Sequence, residues 1–186
     1  MLDQTGKLMI LDLLNRSRVL LGFFFFISFS ALSVSQTVTP ITEKGLDSLI
    51  AYRNGKILVL NIWATWCDPC KEEFPDLIKF ASKYKKKKVE TVAISVDYPD
   101  EVKEKILPFL DSLHVPFTVF VAEFASQDSF INRLNRDWSG AVPATFIFDK
   151  NGFQKKFFVG KQTFKQFKNA VDALLDKPYL NKKQYQ

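Results

Sequence analysis

A three-layer α/β domain, with a mixed central sheet flanked by helices, is the fold this chain predicts. Three observations predict it. The run Ile57 to Ile62 is apolar but for Asn61, the pattern of a strand buried on both faces, and it hands over directly to an amphipathic helical stretch. Two further apolar runs alternate with helical periodicity across residues 89–121. The C-terminal third closes with a turn-separated pair of strands and one more amphipathic helix.

Thr42 to Asn54 reads as a short helix whose Leu46, Leu49 and Ile50 share a face, and Asn54-Gly55 turns the chain into the first core strand. Phe74, Leu77, Ile78, Ala81 and Tyr84 recur at three and four, and Pro75 should interrupt the helix they define and kink it. Val89 to Val96 is the second strand and Asp97 to Asp100 a turn. Glu101 to Leu113 is a helix with Val102, Ile106, Phe109 and Leu110 inward and a bend expected at Pro108. Phe117 to Val121 forms a short strand. Residues 122–139 carry little pattern, although Phe130, Ile131 and Leu134 suggest a helix. Thr145 to Phe148 and Phe153 to Val159 pair across the turn Lys150-Asn151-Gly152, and Thr163 can cap a last helix that Pro178 ends.

The ends differ from this body. Arg16 and Arg18 precede Val19 to Val34, sixteen residues without charge, and small residues follow, which is the layout of a secretory signal. The rival for residues 1–35 is an uncleaved membrane anchor through residues 19–35, since a spanning helix of about 20 residues fits before the next charge. Either way the body, residues 36–178, is expected outside the cytoplasm, in the periplasm or on the cell-envelope exterior, with a polar tail over 179–186. Net charge is +6, of which residues 1–35 supply +1. Lys85 to Lys88 end a helical pattern without interleaved aromatics or glycines, so a solvated helix terminus fits them better than a nucleic-acid site.

Only two cysteines exist, Cys67 and Cys70, and they fall where the first core strand meets its helix. Free N–H groups and the positive helix end favour a thiolate there, and the thiolate is what attacks a disulfide. A structural zinc site wants four ligands, against two cysteines and one histidine, His114. A structural bridge this short would close too small a loop to stabilise much. Reversible exchange remains, with Cys67 as the exposed attacking sulfur and Cys70 as the buried resolving one. Asp68 sets a negative charge beside Cys67, disfavours its thiolate and so makes the dithiol more reducing, while Lys71 pulls the other way. Pro69 stiffens the first helical turn. Trp66 is assigned to the rim of the site and Trp63 to the core; His114 reads as a helix cap or surface residue.

These residues carry a resemblance. WATWCDPCKEEFPDL, with VAISVD and WSGAVPATFIFDKNG downstream, resembles the thioredoxin-fold proteins and most of all their TlpA/ResA branch of extracytoplasmic thiol–disulfide oxidoreductases, over roughly Thr42 to Leu175. The resemblance implies a thioredoxin-like three-layer sandwich and a protein-disulfide reductase whose only redox group is the Cys67–Cys70 disulfide, with no separate cofactor. It places the proton-handling carboxylate at Glu73, one turn beyond Cys70, because Asn61, where thioredoxins often hold an acid, takes no proton. It also implies a cis bond between Val142 and Pro143, in a loop that packs against the cysteines and offers its backbone to an extended partner. Ala144 departs from the threonine common at that position. The implied partners are exported thiol or disulfide proteins, among them apocytochrome c, and a membrane electron donor. A thiol peroxidase, and a metal-binding or adaptor protein on the same fold, are the competing functions.

Overall fold

The computed structural model describes residues 36–175, and the signal or anchor segment, Pro178 and the tail lie outside them. Six strands form one sheet in the order β1-β4-β3-β2-β5-β6, where β1 is Val38–Ile41, β2 Ile57–Trp63, β3 Val89–Ser95, β4 Thr118–Ala122, β5 Ala144–Phe148 and β6 Gln154–Val159. The first four strands run parallel and β5 and β6 antiparallel to their neighbours, so the sheet is mixed, as expected. The helices are α1 (Glu43–Ala51), α2 (Asp68–Tyr84), α3 (Leu107–Leu113), α4 (Gln127–Leu134) and α5 (Phe164–Leu175).

Alternation along β2 divides the core. Ile57, Val59 and Trp63 face one layer with Phe74, Leu77 and Phe80 of α2, Leu110 of α3, and Phe167 and Val171 of α5. Leu58, Leu60 and Ile62 face the other with Leu46 of α1 and Phe130 and Leu134 of α4. Both faces of β2 are fully buried, which is why its sequence is a near-continuous apolar run. The same alternation sends the one polar residue, Asn61, to the α2 side. Among the described residues no helix is long and apolar enough to cross a membrane.

Several local expectations need correction. The edge strand β1 was not expected: Pro40 argues against a strand by propensity, but an edge position tolerates a missing donor. α2 continues unbroken through Pro75, which lies on its exposed side. The segment expected as one helix from Glu101 instead begins with a 3₁₀ turn, Pro99–Glu101, and a π turn, Val102–Ile106, before α3. Pro108 has no N–H for the carbonyl four residues back, and it sits directly after this change of ladder. The indistinct stretch holds α4, capped by Ser126, whose hydroxyl accepts the N–H of Ser129 at 3.1 Å. At α5 the cap is reciprocal: Gln166 N–H reaches the Thr163 hydroxyl at 3.4 Å, and Thr163 N–H reaches the Gln166 side chain at 2.8 Å. His114 is the left-handed C-cap of α3 and is exposed.

Candidate active site

Cys67 is the N-cap of α2 and is joined to Cys70 in a disulfide, with Cα atoms 5.2 Å apart. Its sulfur accepts the backbone N–H of Cys70 at 3.2 Å, so the helix terminus already directs a donor at the position where a thiolate would form. The two residues are unequal in the expected order, 6% accessible for Cys67 and 1% for Cys70. Cys67 is nonetheless more enclosed than the exposed attacking sulfur expected here, and it belongs to the core cluster that contains Trp63, Ala64 and Phe74. Trp66 beside it is 65% exposed, whereas Trp63 is buried in the core. Pro69 stands in the first turn of α2.

Asp68 does not act as a lone charge. Lys71 lies 2.7 Å away on the next turn, and its hydrogen bond and charge hold the Asp68 carboxyl below the usual range. The two charges balance each other at the helix start.

Glu73 is 1% accessible and two groups hold it. Asn61 donates to one carboxylate oxygen at 2.6 Å, and the backbone N–H of Gln162 donates to the other at 2.5 Å. Asn61 donates as well to Thr145 Oγ1 at 3.0 Å, its cross-strand partner on β5. Burial outweighs these donors and pushes the Glu73 pKa up to about 7. Nearby Asp76 adds to the rise, while Lys161 lowers it. Glu72, by contrast, is exposed and pairs with Lys161 at 2.6 Å. The loop between β6 and α5 is thus fastened to α2 through both glutamates.

The Val142–Pro143 bond is cis. Ala144, the next residue, pairs with Ile62 at the end of β2 that leads to Cys67, so the loop stands at the cysteine end of the sheet. Val142 packs against both core clusters, including the one that holds Cys67 and Cys70. The third tryptophan, Trp138, is buried and donates its indole N–H to Ala141 O at 2.9 Å, which fixes the approach to this loop.

A profile of the AhpC/TSA family matches residues 35–156. The thiol–disulfide oxidoreductase ResA of Geobacillus kaustophilus is 31% identical over 153 residues, covering 81% of this chain and 83% of that protein. The chain belongs to the AhpC/TSA family, among its ResA-like thiol–disulfide oxidoreductases. The thiol:disulfide interchange protein HelX of Rhodobacter capsulatus is 32% identical over 138 residues, covering 73% of this chain and 67% of HelX. Among solved structures, a thioredoxin-related protein from Neisseria meningitidis serogroup B superposes with a TM-score of 0.57 at 27% identity, covering 66% of this chain and 87% of that one. The thioredoxin-like sandwich implied by the motifs is therefore the fold, and disulfide exchange is the activity; neither peroxidase nor metal-binding chemistry is favoured.

In this oxidoreductase the sequence left several residues unassigned. Asn61 was read only as a group unable to take a proton, yet a lone polar residue in a buried strand must find a partner, and that requirement was the available signal. Gln162 contributes through its backbone, which no side-chain pattern reveals. Asp97 was read as part of a turn. It is buried, and its carboxylate accepts the Thr65 N–H at 2.9 Å, the Thr65 hydroxyl at 2.7 Å and the Ser95 hydroxyl at 2.5 Å. Asp97 thereby ties the end of β3 to the loop that presents Trp66 and Cys67.

Proposed function

We propose that this protein is a reductase of disulfides in exported proteins, and that Cys67, Cys70 and Glu73 perform the chemistry. The Cys67 thiolate attacks a substrate disulfide, forming a mixed disulfide and releasing one substrate sulfur as a thiolate, which takes a proton from water. Glu73, as carboxylate, takes the Cys70 proton. The Cys70 thiolate then attacks the Cys67 sulfur and expels the second substrate sulfur. Two electrons have passed to the substrate, and the protein holds the Cys67–Cys70 disulfide.

The observation that carries this reading is Glu73, enclosed, one helical turn from Cys70 and poised with a pKa near neutrality. The reducing direction is supported by the Asp68–Lys71 pair, since a cation already neutralised gives the Cys67 thiolate little extra stabilisation. Trp66, Val142 and Pro143 bind the substrate beside the cysteines. Regeneration needs a dithiol donor, and export past the inner membrane requires that a membrane protein deliver its electrons. Apocytochrome c, whose haem-attachment motif is itself a C-x-x-C-H pair, is the substrate of suitable chemistry.

The test is a trap. Cys70→Ser should accumulate a mixed disulfide at Cys67 with its exported target, identified by mass spectrometry, while Cys67→Ser should capture nothing. A Cys70→Ser protein that remains free of adducts in cells would remove the reductase reading.

A further inference from the structure

The four parallel strands all begin at the end of the sheet opposite the cysteines, about 20 Å away along the seven residues of β2. Lys56 immediately precedes β2, and Lys85 to Lys88 run from the end of α2 into β3; all five are exposed. Lys56, Lys85 and Lys88 rim one hollow of about 490 Å³. The acid in that hollow, Glu90, is already held by Arg53 at 2.7 Å and does not neutralise the lysines.

Two aromatic side chains stand at the same end. Tyr52, where α1 returns from the far end of β1, is 76% exposed, and Phe153, in the turn between the antiparallel β5 and β6, is 58% exposed. The hairpin turn and α1 meet closely, for a Cβ on Gly152 would stand 2.5 Å from Ile50 O. Gln36 stands at this end as well: it donates its side-chain amide to Phe117 O at 3.0 Å, and Phe117 lines the lysine hollow.

We propose that this end of the sheet is a docking surface for an anionic phospholipid bilayer, which holds the Cys67 end facing away from the membrane. Lysine with exposed aromatic residues is the composition that suits the headgroup layer, where the ammonium groups meet lipid phosphates and the rings enter the interface. The five lysines gather at one end of the sheet with Glu90 already paired to Arg53, so this face complements a surface of lipid phosphates in charge. Each lysine at such a surface is worth roughly fivefold in partitioning. The assignment does not depend on the direction of electron flow at Cys67.

The experiment reconstitutes the full chain in vesicles of phosphatidylcholine, alone or mixed with phosphatidylglycerol, and maps lysine acylation by a water-soluble reagent. Lys103, exposed beyond the cysteine end of β3, is the internal reference. Lys85 to Lys88 should react at least about fivefold more slowly relative to Lys103 in the anionic vesicles, and high salt should abolish the difference. Replacing Lys56 and Lys85 to Lys88 by Gln should leave disulfide exchange in solution unchanged; if that variant folds poorly, the acylation map of the unsubstituted chain still decides. Equal reactivity in the two vesicle types overturns the assignment. So does protection that includes Lys103, or the same protection from inorganic phosphate or a polynucleotide without vesicles.

Discussion

At the scale of single residues, Glu73 carries the most consequence. Its pKa is raised from the ordinary carboxylate value to about 7, so folding favours its neutral form. The stability this gives is fully present below the unfolded value and is lost as pH rises through about 7. By linkage the loss is on the order of 3 kcal/mol. Urea titrations of the oxidised protein between pH 4 and 8 should show that decline, and Glu73→Gln should flatten it. The same variant should flatten the rate-versus-pH curve for exchange near neutrality; an unchanged curve would reject Glu73 as the proton acceptor. Asn61→Leu tests the carboxylate's support. It removes a donor that lowers the Glu73 pKa, so the inflection in the rate profile should move to higher pH, measured by stopped-flow thiol exchange.

Elements position these residues, and two predictions belong at this scale. α2 holds Cys67, Cys70 and Glu73 in place by burying Phe74, Leu77 and Phe80 beneath them. Leu77→Ala should cost about 2–5 kcal/mol, read as a lower urea midpoint with little change in slope. The loop before α2 is fixed from β3 by Asp97 rather than by its own sequence. Asp97→Ala leaves the Thr65 N–H without its acceptor and should cost about 1–3 kcal/mol, with slower exchange because Trp66 and Cys67 are no longer held. At the other end of α2, Tyr84 donates to Asp172 at 2.6 Å and so ties α2 to α5; burial, and then this bond, push the tyrosine pKa up to about 12.

Across the whole molecule, polarity runs along the strands: redox chemistry at the end where β2 finishes and β5 begins, lysines and exposed aromatics where the parallel strands start. Much of this was legible in the linear chain. The apolar run of β2, the helical period of α2 and the Lys150-Asn151-Gly152 turn each depend on neighbours within a few residues, and those elements appear where expected. Of the stretches that misled, the segment from Glu101 turns on the nearby Pro108, and two others are governed by tertiary packing. β1 is a strand because β4 offers it an edge, and α2 passes Pro75 because that residue faces solvent while packing holds the opposite side. The chain alone placed Cys67 and Cys70 at a helix start, because that is a matter of residue type and spacing, while Glu73 one turn beyond was singled out by the family resemblance. Only the folded structure decided that Asn61 and Gln162 hold that acid, that Lys71 balances Asp68 and that Asp97 fastens the active-site loop. Proton affinity and orientation come from burial and from partners up to 89 residues away in sequence, which local pattern cannot encode.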